Sequence, residues 1–134
     1  MFKRLTSKFL KKSDGGVTVE FVMWFPSFIA IFALMVDTAM VFHGQATVLK
    51  AIQDGNRALA TGRITTESAT EDWIETALKD INIEAEANAR IVAGVVTTTV
   101  NVQAGQLQIL GYFSAFENLK IGVTSDQMIE NWEV

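Results

Sequence analysis

Apolar and polar positions are unevenly distributed along this chain. From Phe21 to Phe42 it runs through 22 residues in which Asp37 is the only charge. A helix of that length rises about 33 Å, close to the roughly 30 Å of a bilayer's hydrocarbon core. A soluble core helix is rarely apolar on every face for so long, so the stretch predicts a membrane helix. Trp24 and Phe25 lie near its entry and Phe42 and His43 near its exit, at interface levels. Beyond His43 the apolar positions thin to a helical spacing: Val48, Ala51, Ile52, Gly55 and Leu59, with Lys50, Gln53, Asp54 and Arg57 facing elsewhere. One helix is therefore expected from about Val17 to about Thr61. Gly62 is its natural stop, and Arg57 and Arg63 stand near the negative end of its dipole.

A second helix is expected over 66–80, with Trp73, Ile74, Ala77, Leu78 and Ile81 as its apolar stripe. Ser68 and Glu71 fit a capping box, and Thr65 or Thr66 offers an earlier cap. Glu67, Glu71, Asp72 and Glu75 crowd the first half, where the dipole favours negative charge, and read as a solvated face. The period then changes to two. Strands are expected at about 81–92, 95–102 and 118–129. Ile81, Ile83, Ala85, Ala87, Ala89 and Ile91 share one face of the first, and Val96, Val100 and Val102 one face of the second. Ala93-Gly94 is the hairpin turn between them. Three antiparallel strands with one apolar face need cover, from the second helix or from the outer half of the long one. The fold class is α+β: a long transmembrane helix extended into a small domain with a second helix and a three-stranded antiparallel sheet. The segment from Gln103 to Phe116 is unusually apolar for a loop, with Leu107, Ile109, Leu110, Tyr112, Phe113 and Phe116. It either folds over the sheet core or offers a contact surface to the membrane or a partner subunit.

Charge adds an orientation. Five of the eleven basic residues fall in the first twelve positions, namely Lys3, Arg4, Lys8, Lys11 and Lys12. Residues 16–134 carry six basic and fourteen acidic side chains, a net of −8. An acidic body argues against nucleic acid as a partner. The basic segment is either a solvated tail that binds anionic lipid or an orientation signal. Ahead of an apolar span it places residues 1–15 in the cytoplasm and the body on the far side. Phe2, Leu5, Phe9 and Leu10 would suit a brief amphipathic helix at the membrane surface. The organisation read from the pattern is a leader at 1–15, a transmembrane helix at 16–42 with the membrane as a partner, and a body at 43–134 in which the helix continues over 43–61.

Glu20 is awkwardly placed for such a span. A carboxylate within a membrane helix costs about 2.5–3.5 kcal/mol at mid-helix and less near the interface, and Glu20 stands one residue before the apolar run. Snorkelling to the headgroups is one explanation. The wider combination is more specific: a basic leader, Gly15, four mainly small or apolar residues, Glu20, Phe21 and an apolar stretch. It resembles the class III signal of type IV pilins and pseudopilins. The resemblance implies that a prepilin peptidase cuts after Gly15, so that Gly16 becomes the N-terminus and Glu20 the fifth residue of the mature chain. It also implies that Glu20 meets the N-terminal amine of a neighbouring subunit, a pair acceptable in an apolar zone where either charge alone is costly.

Within that class the chain is most similar to the TadE/TadF-like pseudopilins of the tight-adherence (Tad, or Flp) pilus. The matching features are Gly15, Val19-Glu20-Phe21, Pro26, Asp37 and the stretch from Ala51 to Arg57 with Asp54-Gly55 at its centre. The resemblance covers about 14–63. Gly16 stands where alanine or serine is commoner, and Thr38-Ala39 replaces the frequent phenylalanine-glycine, which puts any shared role of that segment in doubt. Pro26 removes one backbone donor and is expected to kink the helix, harmlessly or with a purpose. Asp37 either snorkels outward or pairs with a basic group on a neighbouring helix as an assembly residue.

Little else points to chemistry. Cysteine is absent and His43 is the single histidine, so no metal ligand set or nucleophile–histidine arrangement has a supporting motif. Gly15-Gly16 precedes a membrane helix rather than forming a phosphate loop. The expectation is a non-enzyme without cofactor or metal: a minor pilin in biogenesis of an adhesive Tad pilus. Its partners would be prepilin peptidase, other pilin or pseudopilin subunits and the Tad assembly machinery. It would be a single-pass protein of the bacterial inner membrane, cytoplasmic at its N-terminus and periplasmic in its body. The alternative is an uncut signal-anchored protein whose periplasmic domain binds a partner. A cleaved secretory signal fits less well, because the apolar run is too long for an h-region.

Overall fold

The computed structural model describes residues 14–108, 110–111 and 117–130. The element order is helix α1 (Asp14–Ala60), helix α2 (Glu67–Lys79), strand β1 (Ala85–Val92), strand β2 (Val95–Gln103), a single turn α3 (Ala104–Leu107) and strand β3 (Lys120–Met128). The chain divides into two units, residues 1–35 and 36–134. The leader before Asp14, with its suggested amphipathic helix, lies outside the described residues.

In the first unit, α1 is apolar and exposed nearly all round. Phe21, Met23, Phe28 and Phe32 are each at least 62% exposed, and the rings of Phe21 and Phe25 stack at a tilt with centroids 5.7 Å apart. Gly16–Ala60 is long and apolar enough to cross a membrane. Pro26 lies inside the helix, where its missing N–H withholds the bond that the Val22 carbonyl would otherwise accept.

The second unit holds the core. The inward face of α1 repeats every three or four residues through buried Asp37, half-buried Val41, and buried Gly44, Val48, Ile52 and Asn56. The helix ends in a Schellman turn. Gly62, at φ 74°, takes the left-handed position, its N–H donates to the Leu59 carbonyl, and the Arg63 N–H donates to Ala58.

Helix α2 opens with Thr66, whose hydroxyl accepts from the Ala69 N–H at 3.2 Å, so Thr66 is the cap and the Ser68–Glu71 box does not form. Its buried stripe is Thr70, Ile74 and Leu78. Trp73 and Ile81 flank that stripe and are 41% and 49% exposed. A second Schellman turn ends α2: Asn82 has φ 60°, its N–H donates to Lys79, and the Ile83 N–H donates to Leu78. This turn consumes residues 81–84, so the first strand begins at Ala85 rather than 81. Ile83 is buried because it follows the left-handed residue, packing back over the helix end, and not because of strand alternation.

The three strands form an antiparallel meander in the order β1-β2-β3. Ala93 and Gly94 both have positive φ, 50° and 79°, which is the type I′ geometry of a two-residue hairpin. The registers stack Ala87, Val100 and Val123 in one row and Ala85, Val102 and Ile121 in the next. These rows face Val48 and Ile52 of α1, Ile74 and Leu78 of α2, and Leu107 of α3 in one apolar cluster. Two glycines of α1 let neighbours approach. A Cβ on Gly55 would lie 2.6 Å from Ile74 Cγ1, and one on Gly44 would lie 2.7 Å from Leu107 Cδ2.

Candidate assembly site

The residues singled out in the sequence fall into two groups. Gly15, Gly16, Glu20 and Phe21 occupy the opening turns of α1, with Pro26 about one turn further on. Glu20 is exposed, as are its apolar neighbours Val17, Val19 and Phe21. Its carboxylate is thus presented among side chains that water does not favour. Around Gly16 a Cβ would meet nothing within 4 Å. This end of the helix displays a small backbone, a carboxylate and an apolar surface together.

Asp37 belongs to the second group and is turned inward. It is 4% exposed, and its Oδ1 accepts a hydrogen bond from the main-chain N–H of Leu110 at 2.9 Å. The sequence offered two directions for this carboxylate, outward to water or sideways to another helix. The structure adds a third, inward to the chain's own loop between β2 and β3. That loop leaves the sheet through α3, whose buried Leu107 packs against Gly44. It is fastened at its return, where Ala104 and Gly105 donate to the carbonyls of Leu119 and Glu117. Ile109 and residues 112–116 lie outside the described residues.

Three polar features escaped sequence reasoning. Asn56 is fully buried; its amide donates to the Ser125 carbonyl at 3.0 Å, and its Oδ1 accepts from the Thr98 hydroxyl at 2.5 Å. One side chain thereby ties α1 to both β2 and β3.

The second feature is a row of glutamates. Glu67, Glu71 and Glu75 accept hydrogen bonds from the main-chain N–H groups of Ile91, Ala89 and Ala87 at 2.5, 2.8 and 2.9 Å. Four helical residues rise about 6.0 Å, and two strand residues about 6.6–6.8 Å. A helix laid antiparallel to an edge strand therefore matches every fourth side chain to every second outward N–H. The acids read as a solvated face instead close the open edge of β1. The third feature is Gln106, which continues this cover by accepting from the Glu84 N–H at 2.7 Å.

Among the described residues no group of three His, Cys, Asp or Glu side chains is placed to hold a metal ion. His43 is exposed on α1.

Comparison with known proteins bears on the first helix alone. No curated protein and no solved structure matches the chain. The family model described as TadE-like protein matches residues 15–57. That segment begins at Gly15, includes Glu20, Pro26, Asp37 and Gly55, and closes one residue after Asn56. Over residues 15–57 the chain is thus similar to the TadE-like family.

Proposed function

We propose that the chain is a minor pilin or pseudopilin of a Tad-type pilus that assembles through its first helix. The observation that carries this reading is the exposed apolar surface of α1 from Val17 to Met35 with Glu20 among it. Such a surface needs lipid before assembly and other helices after it. The TadE-like match over 15–57 supports association with a Tad pilus.

In this reading the basic leader stays in the cytoplasm, α1 crosses the inner membrane, and the α+β body lies in the periplasm. A prepilin peptidase cuts after Gly15 and leaves Gly16 as a new amine. The Glu20 carboxylate then meets the amine of a neighbouring subunit. The pair is stable in an apolar bundle where each charge alone is costly, and it sets the axial offset between subunits. Pro26 weakens the ladder near that end and lets the helix adjust to its neighbours. The chain does no covalent chemistry of its own.

Intact mass of the protein extracted from membranes tests the reading. Residues 1–15 should be lost when a prepilin peptidase is co-expressed and retained without one. Replacing Gly15 with a bulky residue should block the loss. An uncut chain in the presence of an active peptidase would overturn the pilin reading in favour of a signal-anchored protein.

A further inference from the structure

We infer that lipid tails surround α1 from Val17 to Val36, closer to the N-terminus than the apolar run from Phe21 to Phe42. Phe42 then stands outside the hydrocarbon, and Glu20 and Trp24 lie inside it. The inference rests on the membrane reading of α1 and fixes which part of the helix meets lipid. The outer limit comes from what flanks the helix beyond Asp37. Met40, His43 and Thr47 share a recess with Asn82, Gln106 and Gln108. Asn82 and Gln106 are exposed, so their side-chain amides meet whatever medium bathes α1 at this level. Hydrocarbon offers an amide no partner. The chain at 80–84, 108 and 110–111 is also neither helix nor strand, and such backbone does not sit against lipid tails. Water or headgroups therefore reach Met40, and the hydrocarbon ends before it. The unit that holds the body begins at Val36.

The inner limit follows from thickness. A hydrocarbon core of about 30 Å takes about 20 helical residues, which counted back from Val36 reach Val17. That is also the stretch α1 displays. From Val17 to Met35 every side chain but those of Ala30 and Ala33 is exposed, whereas from Asp37 onward one face turns inward. Lipid is the occupant that this length and this apolar surface select. Glu20 then lies about 4–5 Å beneath the inner surface and Trp24 about 10 Å beneath it. The two are four residues apart and share one face of the helix. Lipid tails satisfy neither a carboxylate nor an indole N–H, so both wait for neighbouring helices to partner them.

The absence of cysteine makes the test direct. Single cysteines are placed by V22C, F28C and M35C, at side chains that are 62%, 65% and 63% exposed. Each full-length variant is spin-labelled and reconstituted in phosphatidylethanolamine/phosphatidylglycerol vesicles. Power saturation by oxygen and by a water-soluble nickel chelate then reports depth. The two spans predict opposite orders. With lipid from Val17 to Val36, an upright helix holds Val22 about 6 Å deeper than Met35; with lipid from Phe21 to Phe42, it holds Met35 about 9 Å deeper than Val22. F28C should be the deepest of the three, and V22C should be better protected from nickel than M35C. A depth at M35C equal to or greater than that at V22C, with F28C still protected, overturns this inference and leaves the membrane reading standing. Nickel accessibility at F28C overturns the membrane reading and this inference with it.

Discussion

The Glu71 carboxylate lies 2.8 Å from the main-chain N–H of Ala89, and Ala89 is 4% exposed. An acidic side chain on a helix thus does for an edge strand what another strand would otherwise do. An exposed edge invites pairing with other chains, and charged cover suppresses it. Replacing Glu71 with alanine leaves that N–H without its acceptor, which costs about 1–3 kcal/mol, whereas E71Q keeps an oxygen in place and costs less. Urea unfolding of the full chain in detergent should rank wild type, E71Q and E71A in that order of stability. Removing all three acids, in E67A/E71A/E75A, should add concentration-dependent aggregation, read by light scattering.

Asn56 and Thr98 act as a unit. N56A removes the acceptor of the Thr98 hydroxyl and the donor to Ser125, so it should destabilise by about 2–4 kcal/mol. T98V removes only the hydroxyl. The two changes together should cost less than their sum, with a coupling of about 0.5–3 kcal/mol in a double-mutant cycle. Strict additivity in the unfolding midpoints would show that the two groups do not interact.

Gly55 sets how closely α2 approaches α1. G55A gains roughly 1 kcal/mol of helix propensity. It also drives a methyl group against Ile74, an overpacking cost of about 1–3 kcal/mol. The net should be destabilising and should be relieved in G55A/I74V. G16A has open space around it and should carry no such overpacking cost.

Glu20 should separate insertion from assembly. E20A removes a carboxylate from the apolar surface of α1, so membrane extraction should still recover the variant with the lipid fraction. Co-purification with other pilin-like subunits should fall sharply. Undiminished co-purification of E20A would remove Glu20 from the assembly contact.

Much of this fold could be read from apolar spacing. The long helix, α2, the hairpin turn at Ala93-Gly94 and the valine face of β2 all follow from local pattern. The errors came where one pattern imitated another. Ile81 and Ile83 alternate as a strand would, yet they belong to the turn that ends α2. Glu67, Glu71 and Glu75 have the spacing of a wetted helix face, and nothing local says that an edge strand lies alongside. Asp37 stands out in the sequence as the only charge in the apolar run. Its partner, the Leu110 N–H, is a main-chain group 73 residues away in sequence, and main-chain donors leave no signature in a residue pattern. Asn56 passed unnoticed inside an otherwise polar stretch, because only tertiary packing makes it buried.

The main-chain N–H of Glu130 donates to the carbonyl of Ala60, and that of Ile129 to Gly94. Residues that follow β3 are thus pinned to the end of the first helix and to the hairpin turn. A contact between positions so distant in sequence closes late, because the intervening loop entropy must be met first. The body is therefore not closed until Glu130 has reached the end of the first helix at Ala60.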